Sequence, residues 1–91
     1  MFRLWGKLVK NNRILKDMVY CDQSDLNRTR KILKGVEEIC FAYDLANPIW
    51  LEATIQEFKR HNKCRFGKDN FIESIEFDYL EIQVLEEADM D

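Results

Sequence analysis

The stretch Phe2–Cys21, FRLWGKLVKNNRILKDMVYC, decides the fold. Two strand-like runs, Phe2–Lys10 and Ile14–Cys21, flank Asn11 and Asn12. Asparagine tolerates the positive φ that a two-residue hairpin turn demands, so the stretch reads as a β-hairpin. With those two residues as the loop, Lys10 faces Arg13, Leu8 faces Leu15, Gly6 faces Asp17, Leu4 faces Val19 and Phe2 faces Cys21. Side chains alternate across a strand. This register therefore puts Phe2, Leu4, Leu8, Leu15, Val19 and Cys21 on one face, and Trp5, Val9, Ile14, Met18 and Tyr20 on the other. A sheet with one wet face alternates apolar and polar residues, and this hairpin does not. The expectation is that the chain's own helices cover one face and a second copy of the chain covers the other.

Downstream, Asp22, Ser24 and Asp25 offer caps for a helix running to about Tyr43. Leu26, Ile32, Leu33, Val36, Ile39, Cys40 and Tyr43 recur at helical spacing along it. Gly35 interrupts that stripe and marks a place of close packing. The next stretch, Asn47–Phe58, NPIWLEATIQEF, has the marks of a second helix. Asn47 is a favoured N-cap, Pro48 suits the first helical position, and Leu51, Ile55 and Phe58 form a stripe. Trp50 lies about 100° from Leu51 around the helix and keeps a pocket or contact role. The short link Asp44–Ala46 predicts that the second helix folds back on the first as a helical hairpin. Asn62–Gly67 reads as a turn with a short extended piece at Cys64–Phe66, and Asp69 as the cap of a short helix through Phe71, Ile72 and Ile75. Glu76–Leu85 alternates with period two and reads as a closing strand beside the first, with Leu80, Ile82 and Val84 inward and Glu76, Asp78 and Glu81 as acids that answer Arg3, Lys7 and Lys16 of the hairpin.

Ninety-one residues make one small domain. Expected are a single α+β domain over 1–85 and an acidic flexible tail over 86–91. No apolar run approaches the roughly 18 residues of a membrane span, and Arg3, Lys7 and Lys10 interrupt any signal-peptide core. Cys21, Cys40 and Cys64 fit neither a disulfide framework nor a zinc pattern, which favours reduced thiols in a cytoplasm. Charge is unevenly spread. Residues 1–68 hold all 14 Lys and Arg with 8 acids, whereas 69–91 hold 9 acids and no base. With the acids on a strand, that pattern reads as cross-strand complementarity within one sheet.

Chemistry-bearing motifs are sparse. His61 is the sole histidine. His61 with Cys64 supplies two ligands of the four that a structural zinc site needs. Glu57 and His61 stand i, i+4, a spacing that usually marks a surface ion pair. Gly6, Gly35 and Gly67 stand alone and make no phosphate loop. No catalytic, cofactor-binding or metal-binding residue is assigned, and no cofactor is expected. Arg28, Lys31, Lys59 and Arg60 are the candidates for contact with a phosphate backbone. Trp5, Met18, Tyr20 and Tyr79 form the candidate interface, because aromatics and methionine are enriched at interfaces and monomers seldom keep such a patch exposed.

The segments NPIWL…IQEF (47–58) and FIESIEFDYLEIQV (71–84) resemble stretches of a family of short bacterial proteins without an assigned function. The resemblance spans about residues 40–84. It implies a cytosolic bacterial protein and carries over no functional residues.

The sequence therefore predicts an α+β fold: a three-stranded, mostly antiparallel sheet with helices packed on one face, in the order β-β-α-α-(short α)-β. The leading functional expectation is a non-enzymatic protein–protein interaction module that forms a homodimer. A small nucleic-acid-associated regulator using the basic helix ends is the alternative, and a small ligand- or metal-dependent enzyme is a third.

Overall fold

A computed structural model describes residues 1–87 of the chain. It is an α+β fold with a four-stranded antiparallel sheet and two helices. The elements are β1 (Phe2–Lys10), β2 (Arg13–Asp22), α1 (Arg28–Ala42), α2 (Glu52–His61), β3 (Lys63–Phe66), a 3-10 turn over Lys68–Asn70, and β4 (Tyr79–Glu87). The strands lie in the order β2-β1-β4-β3. β4 sits beside β1, as the sequence predicts.

Asn11 and Asn12 adopt φ of 53° and 63°, the paired left-handed conformation of a tight hairpin turn. Lys10 faces Arg13 and Val9 faces Ile14, but Leu8 then faces Lys16. Leu15 is thus an extra residue in a bulge, and beyond it the pairing moves by one. Leu4 faces Tyr20 and Gly6 faces Met18, not Val19 and Asp17. A one-residue slip exchanges the two faces of a strand. Met18 and Tyr20 therefore lie on the inner face, packed against the core, while Val19 and Cys21 turn outward.

The inner face holds the hydrophobic core. Leu4, Ile39, Cys64, Phe66, Leu80 and Ile82 are wholly or almost wholly buried there. α1 rests on β1 and β2, and α2 on β3. Two glycines set how closely α1 approaches. A Cβ at Gly6 would stand 2.8 Å from Ile39 Cδ1, and one at Gly35 would stand 2.8 Å from Leu4 Cδ2 and 2.9 Å from the Tyr20 ring. The helix rests directly on the strands at these two positions, and a methyl group would push it away.

Several local expectations give way to competing hydrogen bonds. β2 runs on to Asp22, which pairs with Phe2. Asp22 then accepts from the Ser24 backbone at 2.7 Å, and Ser24 Oγ from Leu26 N–H at 3.3 Å. Those residues build a turn, and the cap of α1 passes to Asn27, whose Oδ1 accepts from Arg30 N–H at 2.9 Å. At the other end Asp44 takes φ 59°. Leu45 N–H donates to Cys40 O at 2.8 Å and Asp44 N–H to Phe41 O at 3.1 Å, which is the double bond pattern of a Schellman cap. Asn47 and Pro48 do not start α2. Ile49 N–H donates to Asn70 O at 2.6 Å, and Asn70 Nδ2 donates to Ile49 O at 2.8 Å and Thr54 Oγ1 at 3.0 Å. Buried Asn70 thereby holds the connector extended, and the helix begins only at Glu52. Its buried positions are Thr54 and Phe58, so Leu51 is left exposed.

The helices rest on different strands and do not close into a hairpin along their length. They meet where Arg28 Nη2 donates to Asn62 Oδ1 at 3.0 Å, and a cleft lies beside that contact. The short extended piece at Cys64–Phe66 is a full edge strand, which makes the sheet four-stranded instead of three. Past the single 3-10 turn, residues 71–78 form no helix. Glu86 and Glu87 of the expected acidic tail belong to β4, where they pair with Arg3 and Phe2. Residues 88–91 of that tail lie outside the described residues. No helix among the described residues is long and apolar enough to cross a membrane.

Candidate interaction surfaces

Two surfaces gather chemistry, one on each side of the sheet. The first is the outer face, on which no helix packs among the described residues. Register dictates its composition. Asp17 on β2 faces Lys7 on β1, Lys7 faces Glu81 on β4, and Glu81 faces Arg65 on β3. One row of alternating charge, minus, plus, minus, plus, therefore crosses all four strands. Glu81 receives Lys7 Nζ at 3.0 Å and Arg65 Nε at 3.0 Å. Aromatic rings flank the row. Lys7 Nζ lies 4.1 Å from the centre of the Trp5 ring, and the Arg65 guanidinium lies 4.4 Å from that of Tyr79. Trp5 Nε1 donates to Asp17 Oδ2 at 2.8 Å.

Glu81 is only 6% exposed although no helix covers it. Burial alone would raise its pKa. The hydrogen bonds from Lys7 and Arg65 outweigh that effect and hold the carboxyl below its ordinary value. Beyond the row, Ile14 and Val19 on the outer side of edge strand β2 are 52% and 42% exposed.

Of the four candidate interface residues, the structure brings Trp5 and Tyr79 together on this face and places Met18 and Tyr20 on the other. Tyr20 there donates its hydroxyl to Asp22 Oδ2 at 2.8 Å. Burial, and then the Asp22 carboxylate, push the phenol up to about 12.

The second surface is the cleft between α1 and α2, about 380 Å³ in volume. Trp50 forms one wall, reaching in from the extended connector. Its ring meets Phe66 edge-on at 4.9 Å and Phe58 at 6.0 Å. Arg28 lies over Phe58 at 5.6 Å, and Lys59 lines the same cleft. Trp50, expected inside the second helix, precedes it, and Arg28 and Lys59, drawn from different helices, line the cleft with it.

The remaining basic candidates separate. Lys31 is buried, contrary to its expected place on a solvated basic face, and lies beside Asp22. Bonds from Ser24 lead the effects that lower the Asp22 pKa; burial opposes them, and Tyr20 and Lys31 add to them. Arg60 is exposed on α2. His61 is exposed while Cys64 points into the core, where burial first, then Glu57 and Glu81, push its thiol up to about 12. The pair does not converge. Among the described residues no group of three or more His, Cys, Asp or Glu is placed to hold a metal ion.

No family model matches the chain, and neither the curated proteins nor the solved structures contain a match to it. The functional reading therefore rests on this chain's own surfaces.

Proposed function

We propose that the chain is a non-enzymatic binding module that self-associates through the outer face of its sheet. The observation that carries this reading is the charge row Asp17–Lys7–Glu81–Arg65. Most soluble oligomers are two-fold dimers, whose interface is the same patch on both copies. A two-fold axis running along the strand direction between two stacked sheets reverses the row. Asp17 then faces Arg65 of the second copy, and Lys7 faces Glu81. A row that alternates in sign over an even number of strands is complementary to its own reversal. An all-basic or all-acidic row is not.

Trp5, Val19, Ile14 and Tyr79 flank the row and supply the apolar contact. Tryptophan and tyrosine are also the residues most often found as interface anchors. From strand spacing and rise, the face offers on the order of 500 Å² per copy. That is the small end of specific interfaces, so association in the micromolar range is expected.

Sedimentation velocity over a concentration series tests the reading. The wild type shifts from monomer to dimer between low and high micromolar concentration, and Trp5→Glu stays monomeric. A wild type that remains monomeric throughout sinks the proposal.

A further inference from the structure

We infer that the trough along the outer side of α1 docks one amphipathic helix of a partner protein, a helix whose apolar stripe is flanked by Asp or Glu. The trough lies on the helix side of the sheet, opposite the face proposed for self-association, and does not rest on that proposal.

Two clefts join to make it. One, of about 480 Å³, lies between α1 and the connector, and the other, of about 380 Å³, between α1 and α2. Leu33 and Trp50 line both. The α1 wall runs from Arg28 to Glu37, roughly 14 Å at the helical rise. Phe41 stands one turn further along the stripe of Leu33 and Glu37. It is 82% exposed, and Leu33 is 49% exposed. Pro48, Trp50 and Ile55 line the opposite side. A contiguous apolar strip rimmed by charge marks an interaction site. The backbone of the α1 wall is bonded within its own helix, so it offers an extended peptide no ladder of hydrogen bonds. A helix brings its own backbone bonds, packs its ridges against those of α1 and anchors through every third or fourth side chain.

Charge decides what kind of helix fits. Without Arg28, which Asn62 Oδ1 engages at 3.0 Å, the described lining still holds three cations, Arg30, Lys34 and Lys59, and one acid, Glu37 at the far end. α1 also reverses the order of charge that suits a helix dipole. Its first turn has no acid and its last turn no base. α2 follows that order, with Glu52 in its first turn and Lys59, Arg60 and His61 in its last. The positive end of α1 and the basic end of α2 thus border one trough. Cations at the start of α1 work against that helix, and acids on a docked helix would answer them. A phosphate backbone would meet the charge but would leave Leu33 and Phe41 uncovered.

The probe is a synthetic helix of about 14 residues, long enough to reach from Arg28 to Phe41. It is stapled on its solvent side, with leucines along one stripe and glutamates flanking them. The protein has two tryptophans, so its ¹⁵N spectrum carries two indole signals, and Trp5→Phe identifies the one from Trp50. Expected are saturable binding of one peptide per chain and movement of the Trp50 signal, while that of Trp5 on the other face stays in place. The same peptide with lysines for glutamates binds at least tenfold more weakly. Lys34→Glu, at an exposed position, weakens the acidic peptide and strengthens the basic one. Leu33→Ser weakens both. No saturable binding at millimolar peptide, an unmoved Trp50 signal, equal affinity for the two peptides, or indifference to Lys34→Glu overturns the inference. So does duplex DNA that moves the Trp50 signal at lower concentration than the acidic peptide, or self-association that Leu33→Ser abolishes, since either gives the trough another occupant.

Discussion

The two faces of the sheet are made from the same strands, one residue out of step, and they differ in what excludes water. On the inner face, exclusion comes from elements far apart in sequence. α1 rests on Gly6 and against Leu4, and Phe66 and Cys64 lie beneath α2. On the outer face, exclusion comes from neighbours within the sheet. Glu81 is buried there by Lys7, Arg65 and the rings that those cations cover. The contrast teaches that a strand residue can be buried without a second layer when cross-strand pairs are long and alternate in sign. Under the proposed function, the inner face serves folding and the outer face association.

Substitutions that separate these roles can break or sharpen the contrast. The largest effect belongs to the inner face. Leu4→Ala or Ile82→Ala empties a wholly buried position and should cost about 2–5 kcal/mol in urea unfolding. A loss within the experimental error of the wild type would mean that the inner face is not the core. Next comes Gly35→Ala. Its methyl meets Leu4 and Tyr20 at under 3 Å, so about 1–3 kcal/mol is lost through overpacking, despite the better helix propensity of alanine. A gain in stability would show that α1 does not rest on β1 and β2 at that point.

On the outer face, Glu81→Gln should cost about 1 kcal/mol as the charge-assisted bonds weaken, a smaller loss than at Leu4. Its pH dependence gives a sharper test. The folded carboxyl titrates below its ordinary 4.5, so the stabilisation is fully present above that value. It is lost as pH falls through the lower folded pKa. The wild type should therefore lose stability in that acid range faster than Glu81→Gln does, as acid denaturation curves at fixed ionic strength will show. Parallel curves would mean that Glu81 is not held by Lys7 and Arg65.

Much of this organisation is legible in the residues. Asn11-Asn12 announces the hairpin because few residues accept two successive positive φ angles. The period-two run through Leu80, Ile82 and Val84 announces β4, and its acids set against the bases of the hairpin announce its neighbour. The bulge at Leu15 leaves no such mark, since no glycine stands there. Yet it moves Met18 and Tyr20 from one face to the other and brings Asp17 opposite Lys7. β3 is four residues long, too short to show a period, so the place of Arg65 at the end of the charge row was invisible.

The Asn47-Pro48 signal was readable but outcompeted. Asn70, some twenty residues away, takes the Ile49 backbone, and no local pattern foretells a long-range bond. The smallest predicted effects follow from that. Asn27→Ala removes a working cap and should cost about 1 kcal/mol. Asn47→Ala should stay within about 0.5 kcal/mol of wild type, as for a surface change. Equal losses in thermal unfolding would restore Asn47 as the helix start.

The most direct test of the central claim is sedimentation velocity on two charge-reversed variants, Asp17→Lys and Arg65→Glu, alone and mixed in equal amounts. Circular dichroism first checks that each is folded. Alone, each variant sets like charges across the two-fold and remains monomeric where the wild type dimerises. Mixed, every facing pair is again of opposite sign, and a dimer forms. Variants that dimerise alone as well as the wild type, or a mixture that stays monomeric beside a dimeric wild type, would contradict association through the charge row.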